Sequence, residues 1–135
     1  MMPRLYREAP INSIWEGSGN VMCLDVLRAM HREEAAVPAF LAELDKAKGA
    51  HRALDRAVEE LKAELAETAD QEARARGIAE RMAITLQAAL LVQHAPAPVR
   101  DAFCSSRLAV RLGGAYGTLP AAMDFDALLQ RAVPA

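Results

Sequence analysis

Few residues in this 135-residue chain have the type and spacing that chemistry needs. The most suggestive run is Glu16-Gly17-Ser18-Gly19-Asn20, a carboxylate followed by small and polar residues just ahead of an apolar periodic segment. On spacing alone it is a polar turn that opens a helix. Arg107 and Arg111 share a helix face, with Arg100 further back on it, and such a row could touch phosphate. Rows of this kind more often face solvent or pair within the molecule. His31, His51 and His94 are scattered, and none has a second His or Cys three or four residues on, so no metal site is expected. All three read as surface or helix-end residues. Cys23 and Cys104 lie far apart in apolar helical patterns and read as reduced core thiols. The run Gly113-Gly114-Ala115-Tyr116-Gly117 has no preceding strand and no following Lys-Ser/Thr, so it is not a phosphate loop.

The elements that must position these residues are helical. Residues 3–20 read as irregular, because Pro3 and Pro10 break helix and residues 17–20 form a turn cluster. The spacing of Val21, Leu24, Leu27 and Met30 predicts a helix over 20–32, with Ser18 or Asn20 as its cap. A second helix is predicted over 37–48, with Phe40, Leu41 and Leu44 inward and Gly49 closing it. The stripe Leu54, Val58, Leu61 and Leu65 predicts a third over 50–67 with a charged outer face. The fourth, over 71–94, carries Ile78, Met82, Leu86 and Leu90 at four-residue spacing. Its second half is apolar nearly all round, which marks it as the buried central helix. Arg74, Arg76 and Arg81 alternate with Glu72 and Glu80 on it, as in i,i+4 pairing. Pro96 and Pro98 end it. A fifth helix is predicted over 99–112, with Phe103, Leu108 and Val110 inward, and a short last one over 125–132 behind an Asp124 cap. The fold class expected is all-α, an antiparallel bundle of about five to six helices with short loops.

Composition agrees with that class. Hydrophobic residues make up 53% of the chain but aromatic residues only 4%, so aliphatic and alanine packing must fill the core. Ala, Leu, Arg and Glu favour helix, and β-branched residues are sparse. The net charge of -2 supplies no global basic field for nucleic acid or an anionic membrane. No apolar run approaches the roughly 18–20 residues of a membrane span. The start, MMPRLYREAP, lacks the apolar region of a signal peptide, and a cytoplasmic location is expected.

Residues 4–20 read RLYREAPINSIWEGSGN. This stretch resembles the flavin acyl-CoA dehydrogenase superfamily, in which a Tyr-Arg-Asp-Ala segment precedes an Ile-Tyr-Glu-Gly-Thr turn that opens the final helices. Here the first element stands as Tyr6, Arg7, Glu8, Ala9, and the second as Ile14, Trp15, Glu16, Gly17, Ser18. The wording NSIWEGSGN followed by VMCLDVLRA is similar to the alkylation-response acyl-CoA dehydrogenase-like branch. In the superfamily the turn glutamate removes the proton alpha to the thioester, and its backbone N–H holds the thioester carbonyl. The resemblance therefore assigns Glu16 as catalytic base and places Glu16 and Gly17 against the substrate. Ser18 and Asn20 fall where the family contacts flavin or its phosphates, although they replace the usual Thr and Gln.

The resemblance also implies an organisation. Residues 1–32 would end the dehydrogenase C-terminal helical domain, and residues 33–135 would form the helical extension of that branch. The parent would hold FAD and dehydrogenate acyl-CoA thioesters. This chain has no β-rich stretch to cover a flavin, so alone it is expected to be inactive and flavin-free. Its expected partners are the rest of a dehydrogenase chain or a partner subunit, and other copies in a homo-oligomer. DNA is a weaker expectation, from the branch and from Arg100, Arg107 and Arg111. The alternatives are thus a DNA-contacting helical module or a purely structural oligomerisation bundle.

Overall fold

The computed structural model describes residues 2–13, 19–109 and 124–132, and leaves the side chains of Ser13, Asn20 and Phe125 undescribed. Among the described residues there are seven α-helices and no strand. They are α1 (Met2–Glu8), α2 (Gly19–Arg32), α3 (Ala36–Asp45), α4 (Arg52–Ala66), α5 (Gln71–His94), α6 (Ala97–Arg107) and α7 (Phe125–Ala132), with a 3-10 helix over Ala9–Ser13. None is long and apolar enough to cross a membrane.

The helix α5 is central, as the all-round apolar pattern of its second half predicts. It touches α2, α3, α4 and α6, and its most extensive packing is with α2. Small residues make this possible: Ala75, Ala88 and Ala89 are all buried, so neighbouring backbones come close. Leu54, near the start of α4, clusters with Ala88, Ala89 and Val92 near the end of α5, whereas Leu65, near the end of α4, also packs against Ala75 and Ile78 near the start of α5. That order makes α4 and α5 an antiparallel hairpin. Two buried clusters result. One gathers Leu44, Leu54, Leu61 and Cys104 around the second half of α5, and the other joins Leu27 to Ala75 and Ile78. Leu65 and Met82 touch both and join them.

The hairpin corner is held by polar groups. Gln71 Nε2 donates to the Glu67 carbonyl at 3.1 Å, and Arg74 donates to the carbonyls of Glu67 and Ala69 at 2.7 and 2.8 Å. The Glu67 carbonyl stands at the C-cap of α4, where helix carbonyls lack partners, and Ala69 lies in the corner itself. Asp70 stands at the N-cap position of α5 with φ 51 and makes no side-chain cap bond. It serves as the left-handed residue of the corner, a conformation that Asp tolerates. Elsewhere the expected punctuation holds: Gly49 has φ 79, and Asp124 Oδ1 accepts from the Ala127 N–H at 2.9 Å.

Several expectations need correction. Residues 3–20 were expected to be irregular, yet α1 and the 3-10 helix occupy 2–13. Pro3 sits in the first turn of α1, where its missing N–H costs nothing, and α1 stops at Glu8, ahead of Pro10. The helix α3 ends at Asp45 rather than 48, and α6 spans Ala97–Arg107 rather than 99–112. Leu108 still packs against the core, and Val110 lies outside the described residues.

Two predicted stripes also drift. Val21 and Leu24 are exposed while Leu27 is buried, and Cys23 and Met30 pack beside it. A strict three-residue repeat lags a 3.6-residue turn by about 60° per step, so Val21 and Met30 lie on opposite sides of α2. A four-residue repeat gains about 40° per step, which carries Leu90 off the face that buries Ile78. Leu90 is 39% exposed while Ile78 is fully enclosed.

The contrast between Leu61 and Leu90 gives a stability test. Leu61 is 0% exposed, so Leu61→Ala should cost about 2–5 kcal/mol in urea denaturation. Leu90→Ala should cost under about 1 kcal/mol, as a half-exposed position does.

Cys104 gives a pH test. It is 0% exposed, and burial pushes its thiol from the ordinary 9.0 up to about 11. The folded state therefore favours the neutral thiol. Stability from this group is intact below the ordinary thiol value and is lost as pH climbs through about 11. Denaturation followed from pH 8 upward should show an alkaline fall that Cys104→Ala reduces. Thiol reagents at neutral pH should label the half-buried Cys23 well before Cys104.

Candidate functional site

The turn holding Glu16, Gly17 and Ser18 lies outside the described residues, and so does Arg111. Both flanks of the turn are described. The 3-10 helix Ala9–Ser13 leads into it, and α2 leaves it at Gly19, with Asn20 as the second residue of that helix. The first N–H groups of α2 have no partner within the helix, as at any helix start, and that end carries partial positive charge. Such an end suits a phosphate or a developing oxyanion.

What holds the start of α2 in place is α5. Gly19, Met22, Cys23 and Val26 from α2 face Arg76 and Glu80 from α5 across an open groove. At Gly19 the groove has room for an ordinary side-chain carbon, since a Cβ there would lie 3.6 Å from an Arg76 guanidinium nitrogen. Leu27, one turn below Cys23, is buried against Ala75 and Ile78. The helix that begins at the candidate turn is thus anchored to the central helix by an apolar contact and bordered by a cation at its first residue.

A second polar group ties α4 to α5. The Glu64 side chain is only 10% exposed and lies 2.8 Å from Arg81 Nη1, with Arg74 Nη1 at 3.9 Å. Arg74 and Arg81 therefore reach across to α4 rather than pairing along α5. The signal was present in the sequence: seven residues are close to two helical turns, so the two arginines share a face. Nothing in the sequence alone names Glu64 as their partner.

The arginine row divides. Arg100 Nε lies 3.3 Å from Asp101 Oδ1. Arg107 stands in the last turn of α6, half-buried, with no ion pair among the described residues. Only Arg100 and Arg107 are placed together on one helix. Of the histidines, His51 caps α4 by accepting from the Ala53 N–H at 3.2 Å, and His31 and His94 stand exposed in the last turns of α2 and α5. No group of three or more His, Cys, Asp or Glu among the described residues could hold a metal ion. Cys23 and Cys104 are both free. The described residues thus offer a flavin one edge, a helix N-terminus opened by a glycine, and no strand to cover its ring.

No protein-family model matches the chain. Among curated proteins it is 38% identical over 112 residues to the Escherichia coli (strain K12) protein named "Putative acyl-CoA dehydrogenase AidB", covering 83% of this chain and 20% of that protein. It is 32% identical over 113 residues to "Acyl-CoA dehydrogenase family member 11" of Caenorhabditis elegans, covering 70% of this chain and 18% of the relative. The chain spans about a fifth of the length of these relatives. The all-helical bundle, the ordered Tyr-Arg-Glu-Ala and Ile-Trp-Glu-Gly-Ser elements and these two similarities agree, and the chain belongs to the acyl-CoA dehydrogenase-like proteins, matching a C-terminal part of them.

Proposed function

We propose that this chain is the C-terminal helical part of a flavin-dependent acyl-CoA dehydrogenase-like protein and that Glu16 is the base of its reaction. The observation that carries the reading is the placement of Glu16 in Ile14-Trp15-Glu16-Gly17-Ser18, directly before the helix that packs on the centre of the bundle. Residues 1–32 end the dehydrogenase domain in this reading, and 33–135 are the extension.

The chemistry follows from the acidity of the substrate. A proton alpha to a thioester is weakly acidic, so its removal needs a carboxylate that is partly desolvated and held in line. Glu16 takes that proton onto a side-chain oxygen. By the family pattern its backbone N–H would hold the thioester carbonyl, where enolate charge develops. Gly17 has no Cβ, so the acyl chain can approach the turn closely. Ser18 and Asn20, at the start of α2, would hold flavin or its phosphates through hydroxyl and amide groups together with the helix N-terminus. A flavin bound there would supply the acceptor for the β hydrogen, which leaves as hydride. The 135 residues alone are not expected to retain it, since the cover for its ring must come from elsewhere in the parent. A homo-oligomeric, cytoplasmic parent belonging to the alkylation-response branch completes this reading.

A DNA-contacting module built on Arg100, Arg107 and Arg111 has less support, because Asp101 already occupies Arg100.

The test is Glu16→Gln in the full-length parent. Gln keeps the size and hydrogen-bonding shape but removes the basic lone pairs. Reduction of the flavin by a saturated acyl-CoA, followed in a stopped-flow instrument, should slow by about 10²–10⁴-fold. Flavin content and melting temperature should hardly change. An unchanged rate would assign the proton transfer to another residue.

A further inference from the structure

Helix α2 carries apolar side chains on two sides, and the bundle covers only one of them. We propose that the uncovered side of α2, together with α1 and the 3-10 helix, is the surface on which the rest of the parent chain docks, so that α2 stands as a shared wall between two cores. The proposal rests on the reading of this chain as the C-terminal part of a longer dehydrogenase-like protein. It does not depend on the role of Glu16.

Three observations carry it. The first is where exposed apolar side chains lie. Among the described residues, every large exposed one apart from Leu90 and Leu129 falls within residues 2–24. The helix α1 buries none of its residues, and Tyr6 is 81% exposed. Ile11 in the 3-10 helix and Val21 and Leu24 in α2 are exposed as well. Single apolar residues are ordinary on a surface, but their concentration in one segment marks a surface that a partner covers. The second is the geometry of α2. Leu27, with Cys23 and Met30 beside it, packs against Ala75 and Ile78 of α5. Val21 lies across the helix axis from that contact, and with Leu24 it borders an open groove that reaches Gln71 and Glu72 at the start of α5. A helix with one partner is polar on its outer side, whereas one that is apolar on both sides needs two. The third is charge. Arg4 pairs with Glu8, and Arg28 with Asp25. These pairs offset one another, so apolar contact rather than charge selects the occupant.

The occupant follows from length and from place. The chain spans about a fifth of its relatives' length, so most of a parent of their kind lies beyond these residues. The exposed apolar side chains also keep to the part assigned to the dehydrogenase domain. A second copy of the chain has no reason to respect that division, whereas the remainder of the same domain does. The extension then holds one side of α2 through α5, and the dehydrogenase domain holds the other.

The experiment is hydroxyl-radical footprinting, read by mass spectrometry, on the 135-residue chain and on the full-length parent. Tyr6 and Leu24 report on the proposed surface, and Leu129 reports on exposed surface outside it. Oxidation of Tyr6 and Leu24 should fall by about tenfold or more in the parent, while that of Leu129 changes by less than about twofold, because only covered groups are shielded from a probe carried in solvent. Equal oxidation of Tyr6 and Leu24 in the two proteins overturns the proposal, and so does an equal fall at Leu129. Protection that persists when the parent is diluted until monomeric supports it. Protection lost on that dilution overturns it, since a second copy is then the cover. Glu16→Gln separates this surface from the catalytic assignment. Slowed flavin reduction without protection sinks the docking surface alone. Protection with an unslowed reaction upholds the docking surface while the assignment of the base falls.

Discussion

The structure depends on the shared burial around α5. With so few aromatic residues, only Phe40 and Phe103 among the described ones pack against the core, and it closes because one helix presents alanines to several neighbours at once. Ala88 and Ala89 are fully enclosed, and Ile78 and Leu61 fill the space that the close approach leaves. Each such side chain is a modest contribution, and their sum must exceed the entropy of ordering the helices. The same helix carries both clusters, so α2 at one end and α3, α4 and α6 at the other share a single support.

Polar groups then fix the relative placement that apolar burial leaves soft. The Glu64 carboxylate, shielded from water and bridged by Arg81 and Arg74, sets the register of α4 on α5. An enclosed carboxylate without those cations would be costly, so the pair constrains the hairpin more than it stabilises it. The exposed ion pairs on the outer faces contribute little by comparison. Asp45 and Glu59 with Lys62 are of that kind, as are Arg56 and Glu60.

Much of this was legible in the sequence because helical signals are local. The long apolar half of α5, Gly49 with positive φ and the Asp124 cap could each be read from a handful of residues. What could not be read was relational. Helix geometry makes the Val21 and Leu90 stripes drift, but which part of each stripe stays buried depends on where its helix meets its neighbour. The reach of Arg74 and Arg81 to Glu64 depends on α4 lying alongside, and Arg76 faces Gly19 across a groove only after α2 has folded against α5. The short helix α1 escaped because its proline was read as a breaker rather than as a first-turn residue. The candidate site was legible only through resemblance. A carboxylate in a polar turn has no distinctive spacing, and Glu16 would pass unremarked without the wording around it.

The functional account reduces to one claim, that Glu16 exchanges a proton with the carbon alpha to a thioester. The most direct measurement is incorporation of solvent deuterium at that carbon, read by mass spectrometry after full-length protein and an acyl-CoA are incubated in heavy water. The account predicts incorporation with the unaltered protein and its loss, by about 10²-fold or more, with Glu16→Gln. Equal incorporation by both proteins would contradict it.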